Sequence, residues 1–193
     1  MKKSIALVMM AVLLVAASVM GTLAFLTSTD TVTNTFTVGK VAITLDEAKV
    51  NEYGEADTSA SRVKENTYKL IPGHEYTKDP TVHFAAGSEA SWLFVKVENG
   101  IAAIEDDKKI ADQITANGWT ALTGVDGVDG VYYKQVAANT SAAAIDYPVF
   151  GSFKLKGDAE VKNYETAKVT VTAYAIQADG FTTAAAAWAE VSK

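Results

Sequence analysis

The 193-residue chain contains no cysteine, only three prolines and only two histidines. Without cysteine, no disulfide can staple the fold, no thiol can act as a nucleophile, and no lipid can be carried on an N-terminal cysteine. An exported domain of this composition must therefore rest on packing alone. His74 and His83 lie on opposite sides of Pro80, so they cannot share one helix face as a zinc-protease HExxH helix requires. No GxSxG elbow is present, and Gly151-Ser152-Phe153 reads as the middle of a strand. A basic cluster is also missing. The formal charge is −6, and an acidic surface argues against nucleic acid and against anionic lipid surfaces as partners.

What is abundant is apolar: 49% of residues, rich in Ala and Val. With that length, the chain suits a single globular domain once any targeting segment is removed. Lys2 and Lys3 open the chain, and Ile5 to Met20 is apolar but for Ser18. A charged start, an apolar run and small residues beyond it are the parts of a signal peptide, here residues 1–24. Thr22 and Ala24 take the −3 and −1 places, so Thr22, Leu23, Ala24 and Phe25 form the expected cleavage region. The apolar run to Leu26 is also long enough for a transmembrane helix. No basic stop-transfer cluster follows it, and the uncleaved segment would be the chain's only expected contact with a membrane. Cleavage would leave the mature chain two charge units more negative, since Lys2 and Lys3 depart.

Residues 25–45 are expected to form an N-terminal strand segment, and residues 46–193 the main domain. Val32, Asn34, Phe36 and Val38 share one face of an alternating run, with threonines 31, 33, 35 and 37 on the other. Period-two alternation of this kind marks a half-buried strand. After Gly39 the phase flips, so that Val41, Ile43 and Leu45 carry the apolar side. A glycine bend at Gly39-Lys40 absorbs that slip. Asp46 to Asn66 reads as a long exposed loop. Strands are expected at Thr67 to Ile71, Thr81 to Ala85, Trp92 to Glu98, Trp119 to Leu122, Val131 to Val136, Tyr147 to Leu155 and Lys168 to Gln177. Pro72-Gly73, Gly87-Ser88 and Asn99-Gly100 are the turns. One amphipathic helix is expected around Ile104, Ile110 and Ile114, ended by Asn117-Gly118, and a short alanine-rich helix capped by Thr182 or Thr183 closes the chain. Many short strands with one or two short helices predict a mostly β, antiparallel, jelly-roll-like β-sandwich preceded by an N-terminal signal helix.

Chemistry is sparse. Asp126-Gly127-Val128-Asp129-Gly130 lacks the later acidic residue of a calcium loop and reads as a hairpin turn. The weak metal alternative is His74, His83 and Glu75. No catalytic residues and no cofactor are expected.

The junction Ala24-Phe25-Leu26-Thr27, then Asp30, then Asn34-Thr35-Phe36-Thr37-Val38-Gly39 resembles the N-terminus of TasA/camelysin-like proteins of Gram-positive bacteria. The likeness extends through Ile43-Thr44-Leu45-Asp46-Glu47, Leu70-Ile71-Pro72-Gly73, Lys78-Asp79-Pro80 and Ser91 to Asn99. This resemblance implies export through a signal peptidase of the SipW type and a jelly-roll-like sandwich. It also implies a place in the extracellular or biofilm matrix or at the cell surface. Self-association into fibres, alone or with related matrix proteins, would run through the mature N-terminal strand. Camelysin-like members are catalogued as metalloendopeptidases, which is the alternative function.

Overall fold

The computed structural model describes residues 3, 5, 8–12, 39–126 and 128–193. The chain divides into two units, Met1–Thr37 and Val38–Lys193. In the first unit, the described residues are helical and exposed. The cleavage region (Thr22, Leu23, Ala24, Phe25) and the strand positions Val32, Asn34, Phe36 and Val38 lie outside the described residues.

The second unit is mostly β, with nine strands in antiparallel sheets among the described residues. In chain order they are β1 (Ile43–Asp46), β2 (Glu75–Thr77), β3 (Thr81–Phe84), β4 (Ser91–Asn99), β5 (Thr120–Ala121), β6 (Val131–Val136), β7 (Ile145–Pro148), β8 (Ser152–Lys154) and β9 (Val169–Gln177). A three-stranded sheet has the order β1-β3-β7, a four-stranded sheet the order β5-β6-β4-β9, and β2 pairs with β8.

Strand β4 is the centre of the domain because both of its faces are covered. Leu93 and Val95 are fully buried and Val97 nearly so, in one cluster with Val82 and Phe84 of β3 and with Tyr76, Val149, Phe150 and Phe153. Trp92 and Phe94 point the other way, into a second cluster with Leu122, Val131, Ala187 and Trp188. A two-sided strand reads as a near-continuous apolar run, and Ser-Trp-Leu-Phe-Val is one. Each large side chain sealed in this way contributes about 1.5–3 kcal/mol relative to exposure. The C-terminal helix Ala184–Val191 provides the outer cover. Its N-cap, Thr183, accepts the Ala186 N–H at 3.2 Å. Trp188 packs on Phe94 with ring centroids 5.3 Å apart and meets Tyr174 edge-on at 5.2 Å.

Several sequence expectations hold. Val41, Ile43 and Leu45 pack on the core, as the phase after Gly39 requires. Ile71-Pro72-Gly73-His74 is a turn closed by the His74 N–H to the Ile71 carbonyl, with Gly73 at φ +77°, which a side chain would resist. Gly118, at φ +78°, ends the helix Ile110–Ala116.

Three expectations fail for identifiable reasons. Thr67 to Ile71 forms no ladder: its polar groups go to single partners, such as the Ile71 N–H to the Tyr76 hydroxyl at 2.6 Å. Tyr147 to Leu155 is not one strand. β7 and β8 belong to different sheets, because Val149 and Phe150 turn inward between them and bury completely or nearly so. The helix begins at Ile110 rather than near Ile104, because Glu105 leaves the helical path to pair with Leu155. Finally, the loop from Asp46 to Asn66 is pinned, with Glu47 bridged to Val63 and Val50 to Ala56.

Candidate functional site

Strand register builds the most concentrated polar group in the domain. Across the three-stranded sheet, Thr44, His83 and Asp146 stand in one row, and Asp46, Thr81 and Pro148 in the next. Alternation sends Val82 and Phe84 into the core and leaves His83 on the outer face. Its ring lies between two carboxylates: Nδ1 donates to Asp146 Oδ1 at 2.6 Å, and Nε2 donates to Asp46 Oδ1 at 2.9 Å. Two carboxylate acceptors call for two N–H donors, so this geometry is that of the imidazolium. Burial alone would lower the His83 pKa, but the hydrogen bonds and charges of Asp46 and Asp146 reverse that and raise it.

Arg62, the chain's only arginine, closes the group from the long loop. Its Nε donates to Asp46 Oδ1, one terminal nitrogen to Asp79 Oδ2 at 2.9 Å, and the other to the Asp46 carbonyl, the Asp79 carbonyl and Thr81 Oγ1 at 3.0–3.2 Å. Burial works to raise the Asp46 pKa, and Arg62 and His83 outweigh it, holding that carboxyl below its usual range. The remaining oxygen of Asp79 accepts the Ala48 N–H at 2.6 Å. Beside this group, Lys78 donates to the buried Glu47 at 2.6 Å, and Asn66 donates to the other Glu47 oxygen at 2.8 Å. The donors are matched to acceptors, so the arrangement ties β1, β3, β7 and the loop together rather than holding a reactive group ready.

A second cluster joins β2 and β8. Ser152 donates to Glu75 Oε1 at 2.7 Å, and Lys108 donates to Ser152 Oγ at 2.9 Å and to Glu75 at 3.2 Å. It borders an open groove of about 440 Å³ lined by Lys108, Gln113, Asn117, Pro148 and Phe150. A nucleophilic serine needs a base for its proton and donors for an oxyanion. Neither is free here. The Ser152 hydrogen bond, and then Lys108, hold the Glu75 carboxyl below its usual pKa, which makes it a poor base. The adjacent N–H groups of Gly151 and Ser152 both donate to Gln113 Oε1, at 3.2 and 3.3 Å.

The residues of the metal alternative are held apart. His74 Nε2 bonds the Tyr53 carbonyl at 2.8 Å and its ring meets Tyr76, His83 belongs to the aspartate group, and Glu75 is engaged by Ser152 and Lys108. Among the described residues, no group of three or more His, Cys, Asp or Glu side chains is placed to hold a metal ion.

Gly39 is exposed, and a Cβ there would come within 3.1 Å of Glu89 Cγ. The next residue is already anchored, since the Glu89 N–H donates to the Lys40 carbonyl at 2.9 Å. Sequence reasoning missed the Arg62 group entirely. The available signal was the single arginine among the basic residues, because only a planar guanidinium can serve two carboxylates and two carbonyls together. Comparison with protein-family models, with curated proteins and with solved structures found no match. Among the described residues, no helix is long and apolar enough to cross a membrane.

Proposed function

We propose that the protein is a secreted structural component of the extracellular matrix or cell surface, released by a SipW-type signal peptidase and assembling into fibres through its mature N-terminal strand. Its fold, in this reading, is a jelly-roll-like sandwich that follows a signal helix. The observation that carries the reading is the junction at Gly39. From Val41 onward the apolar phase serves the domain's own core, while the out-of-phase Thr31 to Val38 pattern is a second strand pattern outside that sheet's phase. The resemblance of Ala24 to Gly39 to TasA/camelysin-like proteins supports it. So does the internal saturation of both polar clusters, which suits a structural role.

N-terminal sequencing of the secreted protein should find Phe25, or a residue close to it, at the start. Deleting Phe25 to Val38 from the mature chain should abolish sedimentable fibres and leave the far-ultraviolet spectrum and melting transition of the domain in place. Fibres from the truncated chain would sink the reading. No observation favours the metalloendopeptidase alternative, because His74, His83 and Glu75 are spent on separate partners.

A further inference from the structure

The corner where the long loop meets the end of β1 brings together an amine, a carboxamide and a carboxylate. The side chain of Glu47, just past β1, is 5% exposed, and that of Lys78, between β2 and β3, is 11% exposed. Lys78 Nζ donates to Glu47 Oε2 at 2.6 Å, and Asn66 Nδ2 donates to Glu47 Oε1 at 2.8 Å. One carboxylate therefore holds both nitrogens, one on each oxygen. Asn66 Nδ2 also donates to the Ala48 carbonyl at 2.9 Å, and Asn66 Oδ1 accepts the Val50 N–H at 3.0 Å. The carboxamide is thus fixed in orientation, with a backbone donor on its carbonyl oxygen.

Two further contacts hold the segments that carry these groups side by side. Before Asn66, Arg62 donates to Asp79 Oδ2 at 2.9 Å. After it, the Tyr68 hydroxyl donates to the Thr77 carbonyl at 3.0 Å. Tyr68 also covers the corner: burial, and then the charges of Glu47 and Asp79, raise its hydroxyl pKa. The group around Arg62 pairs charges with one another and goes no further. Lys78 and Asn66 differ in kind, because an amine and a carboxamide can form a new amide and release ammonia.

We propose that Lys78 and Asn66 become joined by an intramolecular isopeptide bond, with Glu47 carrying the protons. Glu47 takes one proton from the Lys78 ammonium through Oε2. The freed lone pair on Nζ attacks Asn66 Cγ, and the carbonyl pair moves onto Oδ1, where the Val50 N–H stabilises the developing charge. Glu47 gives its proton to Asn66 Nδ2, the carbonyl re-forms, and the Cγ–Nδ2 bond breaks to release ammonia. A second proton leaves Nζ for Glu47. The products are the amide, a neutral Glu47 and one ammonia, and no oxidant or further reactant is consumed. A carboxamide is a poor electrophile, but the reaction is needed once per molecule and its reactants are already held together. The bond gives a chain without cysteine a staple between the long loop and the β2–β3 connection that no reductant opens. It stands or falls independently of the assembly reading.

The test is the mass of the purified, folded chain after incubation at neutral pH, once its N-terminus has been sequenced. The chain should be one ammonia lighter than its sequence requires. Trypsin should release Glu65–Lys69 joined to Leu70–Lys96, since an acylated Lys78 is not cut. Lys78→Arg keeps a cation for Glu47 but removes the amine, so it should fold and keep its full mass. Glu47→Gln should slow the linkage about a hundredfold or more. If that variant folds poorly, Lys78→Arg and the joined peptide carry the test alone. A wild-type chain that keeps its full mass overturns the inference. So does ammonia loss that persists in Lys78→Arg, or that maps to Asn99-Gly100 or Asn117-Gly118, where succinimide formation releases the same ammonia. Linkage at the wild-type rate in folded Glu47→Gln overturns the role given to the carboxylate.

Discussion

Raising the pH should loosen the three-stranded sheet through one residue, His83. The folded-state pKa of this histidine lies above its ordinary 6.5, so the native chain holds the proton more tightly than the unfolded chain does. The stabilisation is complete below about 6.5 and is lost as the pH rises through the raised folded value. Charge-assisted hydrogen bonds contribute about 1.5–3 kcal/mol each when sealed from water. His83 is mostly covered, but the Asp146 side chain is 62% exposed, so the Asp146 share is screened. Together the two bonds should amount to about 1–2 kcal/mol. For a chain of this size that corresponds to about 2–4 °C per kcal/mol in melting temperature. The assay is denaturant unfolding of the wild type and His83→Gln at about pH 5.5 and about pH 8.5. Glutamine cannot become a cation, so the variant stands in for the deprotonated imidazole at either pH. The curves should converge on the alkaline side and separate by the stated amount on the acid side. An equal gap at both pH values would refute the argument, since the two aspartates would then be stabilised by something other than the imidazolium.

Lys78→Met leaves the Glu47 carboxylate, only 5% exposed, without its cation. Breaking a buried pair from one side should cost about 3–5 kcal/mol, read as a shift in the urea midpoint; a change under about 1 kcal/mol would mean that Asn66 alone satisfies Glu47. Thr183→Ala removes the hydroxyl that accepts the Ala186 N–H at the start of the C-terminal helix. The expected cost is about 1 kcal/mol, measured in the same way, and an unchanged midpoint would show that the helix stands without its cap.

Much of the strand content was legible because burial on one face writes a period of two into the sequence. β3, β4, β6 and β9 and the turns between them were read from that period and from glycine and proline positions. The interval from Tyr147 to Leu155 misled because its apolar residues are continuous. A run that turns into the core at Val149 and Phe150 looks like a run that continues as one strand. Likewise, Thr67 to Ile71 has strand composition but forms no ladder; the Lys69 N–H makes a single bond to the Glu52 carbonyl. The helix expected around Ile104 starts at Ile110 instead, and nothing in the local sequence marked Glu105 ahead of it as a buried carboxylate. Glu105 is 3% exposed and accepts the Ile110 N–H at 3.2 Å, and burial pushes its carboxyl pKa up.

The sequence by itself determined what is local: the apolar run from Ile5 to Met20, the phase flip at Gly39, the alternation of each strand and the chemistry the chain lacks. These depend on residues near one another along the chain, where side-chain periodicity and turn propensity act directly. Only the tertiary structure decided which strands meet. It brought His83 between Asp46 and Asp146, drew Arg62 across from the loop, and filled the N–H groups beside Ser152 with Gln113. Such pairings join positions tens of residues apart, and their energies come from register and burial, which have no signature in any short stretch of sequence.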